Sequence, residues 1–81
     1  MPRIRRKGIP HPLMAHLIKR VRERDISTSQ LGLLSRWLDT EPEVPEGRWF
    51  KRFPEMIVCG ESSLVKTFLR AGQVPVGDEV M

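Results

Sequence analysis

Arg48-Trp49-Phe50-Lys51-Arg52-Phe53-Pro54-Glu55-Met56-Ile57-Val58-Cys59-Gly60-Glu61-Ser62-Ser63-Leu64-Val65-Lys66-Thr67-Phe68-Leu69-Arg70 is the stretch on which the fold turns. Residues 48–53 alternate basic and aromatic side chains, and Met56-Ile57-Val58-Cys59 is a short apolar run. Pro54-Glu55 reads as a hairpin turn between them, because strands of this length are bounded by such residues. Gly60-Glu61-Ser62-Ser63 makes the next turn. Leu64 to Leu69 then gives a third strand, with Val65, Thr67 and Leu69 on one side and Lys66, Phe68 and Arg70 on the other. Three short strands joined by tight turns make an antiparallel meander.

Upstream the period changes from two to 3.6. Leu13, Met14, Leu17, Ile18 and Val21 fall on one stripe and predict a helix over roughly 12–24, with Pro12 in the first turn, where its missing N–H costs nothing. Ser27-Thr28-Ser29-Gln30 has the form of a capping box, in which Gln30 reaches back to the backbone of Ser27. Ile26 and Leu31 flank it as a hydrophobic staple. The second helix is therefore expected over 28–39, with Leu31, Leu34 and Leu38 inward and Trp37 beside them. Gly32 weakens this helix by about 1 kcal/mol relative to Ala unless a close crossing needs the small residue. The expected fold class is α+β, two amino-terminal helices packed on a three-stranded antiparallel meander, with the far face of the sheet open.

Residues 1–12 combine Arg3, Arg5, Arg6 and Lys7 with three prolines, and read as a basic flexible arm whose end is anchored at Ile9. Residues 13–70 form a single domain. Residues 71–81, with Gly72, Pro75 and Gly77, read as an extended or loose tail. Glu41-Pro42-Glu43-Val44-Pro45-Glu46-Gly47 is an acidic connector in which two prolines forbid helix.

The 81 residues are 40% hydrophobic and 30% charged, which excludes both a disordered chain and a two-domain enzyme. Net charge is +4, but its distribution says more. Residues 1–24 carry +7, 25–46 carry −4, 47–70 carry +3 and 71–81 carry −2. Two basic blocks flank an acidic connector, so a helix lying against the later strands would create a basic face suited to nucleic acid. The lone Cys59 cannot form an internal disulfide and points to the reducing cytoplasm, where Cys59 is expected as a buried, inert thiol. No run approaches the roughly 20 apolar residues of a membrane span, so no membrane partner is expected. His11, His16 and Cys59 lack the spacing of a zinc site, and Gly60-Glu61-Ser62-Ser63 lacks the Gly-Lys-Ser/Thr of a phosphate loop. Neither a metal nor a cofactor is implied.

At helical spacing His16, Arg20, Glu23 and Arg24 lie along one flank of the apolar stripe. Residues 16–27 spell H-x-x-x-R-x-x-E-R-x-I-S, and this string resembles the opening of a family of small bacterial domains related to the RelE/ParE-like toxins of toxin–antitoxin systems. Asp25 stands where that pattern generally has Gly. The resemblance implies a compact helix–helix–sheet fold and, in the superfamily's active toxins, an RNA-cleaving or topology-poisoning activity opposed by an antitoxin protein, so RNA and an acidic antitoxin-like protein are the expected partners. RelE-like ribonucleases often use a Tyr on the sheet, and this chain has none. By residue type, His16 is the candidate general acid or base. Arg20, Arg24, Arg48, Lys51, Arg52 and Lys66 are the candidate nucleic-acid contacts, because phosphodiester chemistry needs a proton acceptor near neutral pH and cations for the developing charge.

Plainer readings stand beside these. His16 at a helix edge can simply pack and hydrogen-bond a strand carbonyl, and Arg20, Glu23 and Arg24 can form an ion-pair network at the helix end. Trp49, Phe50 and Phe53 could stack on bases, but so small a domain needs at least two of them for its core. The alternative function is a non-catalytic interaction module that presents an exposed sheet edge to a protein partner.

Overall fold

Leu17 sits at the centre of the first apolar stripe, and the helix built on it, α1, runs His11–Arg22 with Pro10 as its cap. The computed structural model describes residues 2–23 and 25–81, so Arg24 lies outside the described residues. Leu17 is fully buried, and Leu13, Met14 and Val21 pack against the same core; Ile18, at the margin of the stripe, stays exposed. The second helix, α2, runs Thr28–Asp39, as its flanking residues predict, and buries Leu34 and Leu38. Gly32 serves no crossing: a Cβ built there meets nothing within 4 Å. Gly32→Ala is accordingly expected to raise stability by about 1 kcal/mol, read as a higher urea midpoint with unchanged slope.

The local capping box does not form. Ser27 makes no side-chain cap bond within its own helix. Glu55 instead reaches in from the hairpin turn, accepting from the Ser27 N–H at 3.2 Å, from the Ser27 hydroxyl and from Gln30 Nε2 at 3.2 Å. Gln30, buried, returns the bond by accepting from the Glu55 N–H at 3.2 Å. A carboxylate at this helix terminus satisfies the Ser27 amide and meets the positive end of the helix dipole.

The sheet has four strands and is mixed, not the three-stranded antiparallel meander. Strands β1 (Arg48–Arg52), β2 (Met56–Glu61) and β3 (Leu64–Arg70) pair antiparallel, and β4 (Asp78–Glu79) adds to the free edge of β1 in parallel, giving the order β3-β2-β1-β4. Gly77 makes that pairing possible. Its φ of 108° is open chiefly to glycine, and a Cβ there would collide with the Arg48 carbonyl. Val80 N–H then donates to Phe50 O at 2.7 Å. The segment 71–81 is therefore tied down at its end, and Val74-Pro75-Val76 crosses the second face of the sheet and covers part of it.

The strict alternation expected along β3 also fails. A β-bulge between Cys59 and Gly60 sets Thr67 opposite the first and Val65 opposite the second, leaving Lys66 as an extra residue. Val65 and Phe68, three apart, are thus both buried, while Lys66 and Thr67 are both exposed. Trp49, Met56, Val58, Val65 and Phe68 join Leu17, Leu34 and Leu38 in one core shared by sheet and helices. Trp37 packs on Trp49 at 5.8 Å and edge-on to Phe53 at 6.1 Å.

The amino-terminal segment is not a flexible arm over its described residues. Ile4 is fully buried and Ile9 nearly so. Ile4 N–H donates to Pro42 O at 3.1 Å and Val44 N–H to Pro2 O at 2.9 Å, so residues 2–4 run beside the connector, with Arg3 bridged to Glu43. The charges follow the backbone: Arg3 meets Glu43, Arg5 meets Glu41, and Arg6 grips Asp39 through two bonds of 2.9 and 2.8 Å. These exposed pairs are each worth about 0–1 kcal/mol, so the buried isoleucines do most of the holding.

Candidate nucleic-acid interface

Helix α1 packs beside β3, which brings the polar flank of the helix over the end of that strand. His16, Arg20, Glu23, Asp25, Phe68, Leu69, Arg70 and Gln73 line a groove of about 510 Å³ there. Its centre is an ion cluster. Arg20 Nε lies 3.3 Å and Arg70 Nη2 3.1 Å from the same oxygen, Asp25 Oδ2. Arg20 is largely buried, with 11% of its side chain exposed, whereas 69% of Arg70 is exposed. The two arginines therefore play different parts.

Arg20 also donates from Nη1 to Phe68 O at 3.4 Å, and Gln73 Oε1 accepts from the Arg70 N–H at 2.7 Å. Both backbone groups belong to the outer edge of β3, so these side chains occupy edge positions that another chain would otherwise pair with. Lys66 at the bulge guards the first half of the same edge in the manner of an edge-strand lysine. Arg20 is thus structural as well as cationic, and Arg70 is the freer cation in the groove.

The remaining predicted contacts are not gathered at this groove. Arg48 and Arg52 share the second face of the sheet, where Arg48 lies 3.8 Å from Glu61, and Arg52 lies 3.7 Å from Glu79 and over the Phe50 ring at 5.3 Å. Lys51 points to the other side and lies 6.0 Å from the Phe53 ring centre. Arg48 and Lys66 line a separate cleft of about 380 Å³ beneath Val74-Pro75-Val76, together with Cys59 and Leu69. Cys59 is half-buried there, and desolvation raises its thiol pKa, which favours the neutral, unreactive form. Arg24 falls outside the described residues.

Sequence spacing located His16 and Arg20 on one flank of the helix, but gave no sign that Arg70, Asp25 or Gln73 would join them. Asp25 sits five residues beyond Arg20, past the end of the helix, and Arg70 reaches the groove only through the register of β3. Trp49 is buried in the core with Phe53 packed against it, and Phe50 is buried on the second face beneath Arg52. Among the described residues no group of three or more His, Cys, Asp or Glu side chains is placed to hold a metal ion, and no helix is long and apolar enough to cross a membrane. No protein-family model, curated protein or solved structure matches the chain.

Proposed function

We propose that this protein binds single-stranded RNA in the groove between α1 and β3, with Arg70 and Arg20 on a phosphate group and His16 at the rim. The observation that carries this reading is the convergence of two guanidinium groups on one oxygen, in a groove that also holds an imidazole. Guanidinium forks match phosphate oxygens as they match carboxylates. Imidazole is the side chain that most readily exchanges a proton near neutral pH, so His16, which lines the groove, is the residue assigned to proton exchange with a ribose hydroxyl of bound RNA. The resemblance of residues 16–27 to RelE/ParE-like domains supports the same reading. The alternative, a protein-interaction module acting through the sheet edge, is weakened by the side chains that occupy that edge at Phe68 and Arg70.

Fluorescence anisotropy of a labelled single-stranded RNA, at about 50 and 200 mM salt, tests the proposal, because phosphate contacts lose affinity steeply as salt rises. Arg70→Ala should weaken binding about tenfold, the worth of one charge-assisted contact, and flatten the salt dependence. Arg70 is chosen over Arg20 because Arg20→Ala also uncovers the Phe68 carbonyl. An unchanged affinity in folded Arg70→Ala would remove the groove from the binding surface. A gel of the same RNA reads cleavage, and His16→Ala should abolish any cleavage while sparing affinity.

A further inference from the structure

From the carboxylate seated between the two arginines of the groove we infer that this site selects a terminal phosphomonoester of RNA over the internal phosphodiesters, an inference that rests on the RNA-binding reading. Asp25 Oδ2 already occupies the point where Arg20 and Arg70 converge, at 3.3 and 3.1 Å. Any phosphate oxygen that takes this seat must displace a carboxylate that is tethered to the same chain and so present at high effective concentration. An internal phosphodiester carries a single negative charge, the same as Asp25. It offers the arginines no electrostatic gain to offset that tether. A terminal phosphomonoester carries about −1.5 to −2 at neutral pH and three acceptor oxygens. It supplies the extra charge, and enough oxygens to serve both guanidinium groups at once.

The surroundings reinforce the choice. Among the described residues that line the groove, Asp25 is the carboxylate that meets both arginines, while Glu23 lies 3.9 Å from Lys19. Arg70, with 69% of its side chain exposed, is free to swing from Asp25 to an incoming phosphate, whereas Arg20 is held by Phe68 O and stays as the fixed half of the clamp. Asp25 acts as the internal competitor that an incoming group must out-charge.

The test uses the full chain and three versions of one labelled oligoribonucleotide: 5′-phosphorylated, 3′-phosphorylated, and with hydroxyls at both ends. Wild-type protein should bind at least one phosphorylated form about fivefold or more tighter than the hydroxyl form, the worth of one further charge at contact distance in a water-like dielectric. Which end is preferred shows which phosphate seats. Asp25→Asn removes the competitor and keeps its shape, so the hydroxyl form should gain affinity and the ratio should narrow. Arg70→Gln should bring the phosphorylated RNA down to the level of the hydroxyl form, and circular dichroism verifies that both variants are folded. Equal binding of all three RNAs by wild type, with Arg70→Gln weakening each alike, overturns the inference and leaves the RNA-binding reading standing. A ratio that Asp25→Asn leaves unchanged or widens overturns it too. Failure of every RNA to bind overturns both.

Discussion

Trp49→Ala is expected to lower stability by about 3–5 kcal/mol, the usual cost of truncating a large buried aromatic side chain and a large share of what so small a domain holds. Trp49 is fully buried, packs on Trp37 at 5.8 Å, and donates from Nε1 to Ser62 O at 2.8 Å. That bond ties the indole to the β2–β3 turn, where Ser62 holds a φ of 51° that non-glycine residues adopt at a cost. Losing the indole would thus open a cavity and release the turn together. Gly60, opposite Trp49 in the β1–β2 register, is the counterpart: a Cβ there would run into the indole ring and lie 2.6 Å from Leu64 O. Gly60→Ala should cost about 1–3 kcal/mol by overpacking. In a double mutant the two losses should sum to less than their separate values, since the indole that the added methyl group would strike is gone. Urea denaturation of the four proteins measures the coupling; strict additivity would show that the pair does not interact.

The same pair shows what sequence alone reveals of this fold. The strands β1 to β3 are legible because each apolar run is bounded by turn residues, and α2 because its cap, staple and period agree. Nothing at Gly60 distinguishes a turn glycine from one kept small by an indole on the neighbouring strand, and the sequence reading accordingly places Gly60 in the turn. Strand β4 is hidden for a related reason. Two residues carry no period, and the partner strand lies some thirty positions away. Ile4 and Ile9, set among prolines and cations, look like parts of an arm until Pro42, Val44 and the acids at 39, 41 and 43 supply the matching surface. The bulge at Lys66 is likewise a property of pairing, and it breaks a face assignment that assumed unbroken alternation.

The groove divides along the same line. His16 and Arg20 are legible because four-residue spacing places them together on one helix flank. Arg70 and Gln73 join them only because β3 ends beside α1, and Asp25 only because the chain turns back after the helix. The expectation that the basic blocks would merge into one face meets the same limit. The cations of residues 3–6 are spent on the connector, Arg48 and Arg52 lie on the second face near Glu61 and Glu79, and among the described residues Arg70 is left as the more exposed arginine of the groove. Net charge counted along the chain overstates the charge that any one surface presents.

Glu55→Ala should cost about 1–3 kcal/mol, although Glu55 is an exposed residue in a turn, where substitutions ordinarily change stability by less than about 0.5 kcal/mol. Its carboxylate serves three donors at once: the Ser27 N–H, the Ser27 hydroxyl and the amide of Gln30. Truncation leaves the α2 terminus uncapped, worth about 0.5–2 kcal/mol. It also leaves a buried amide donor without its acceptor, at about 1–3 kcal/mol, with partial recovery as water enters from the exposed side. The Gln30 carbonyl keeps its bond to the Glu55 N–H, so the contact loosens without being lost. Glu55→Gln retains an acceptor but loses the charge that faces the helix dipole, and should fall between wild type and Glu55→Ala. Pairing Glu55→Ala with Gln30→Ala in a denaturation cycle isolates the bond between them: a coupling of at least about 0.5 kcal/mol is expected for groups in one hydrogen-bonded network. A loss in Glu55→Ala no larger than that of an ordinary surface change would mean that α2 is capped by solvent and that the hairpin turn does not clamp it.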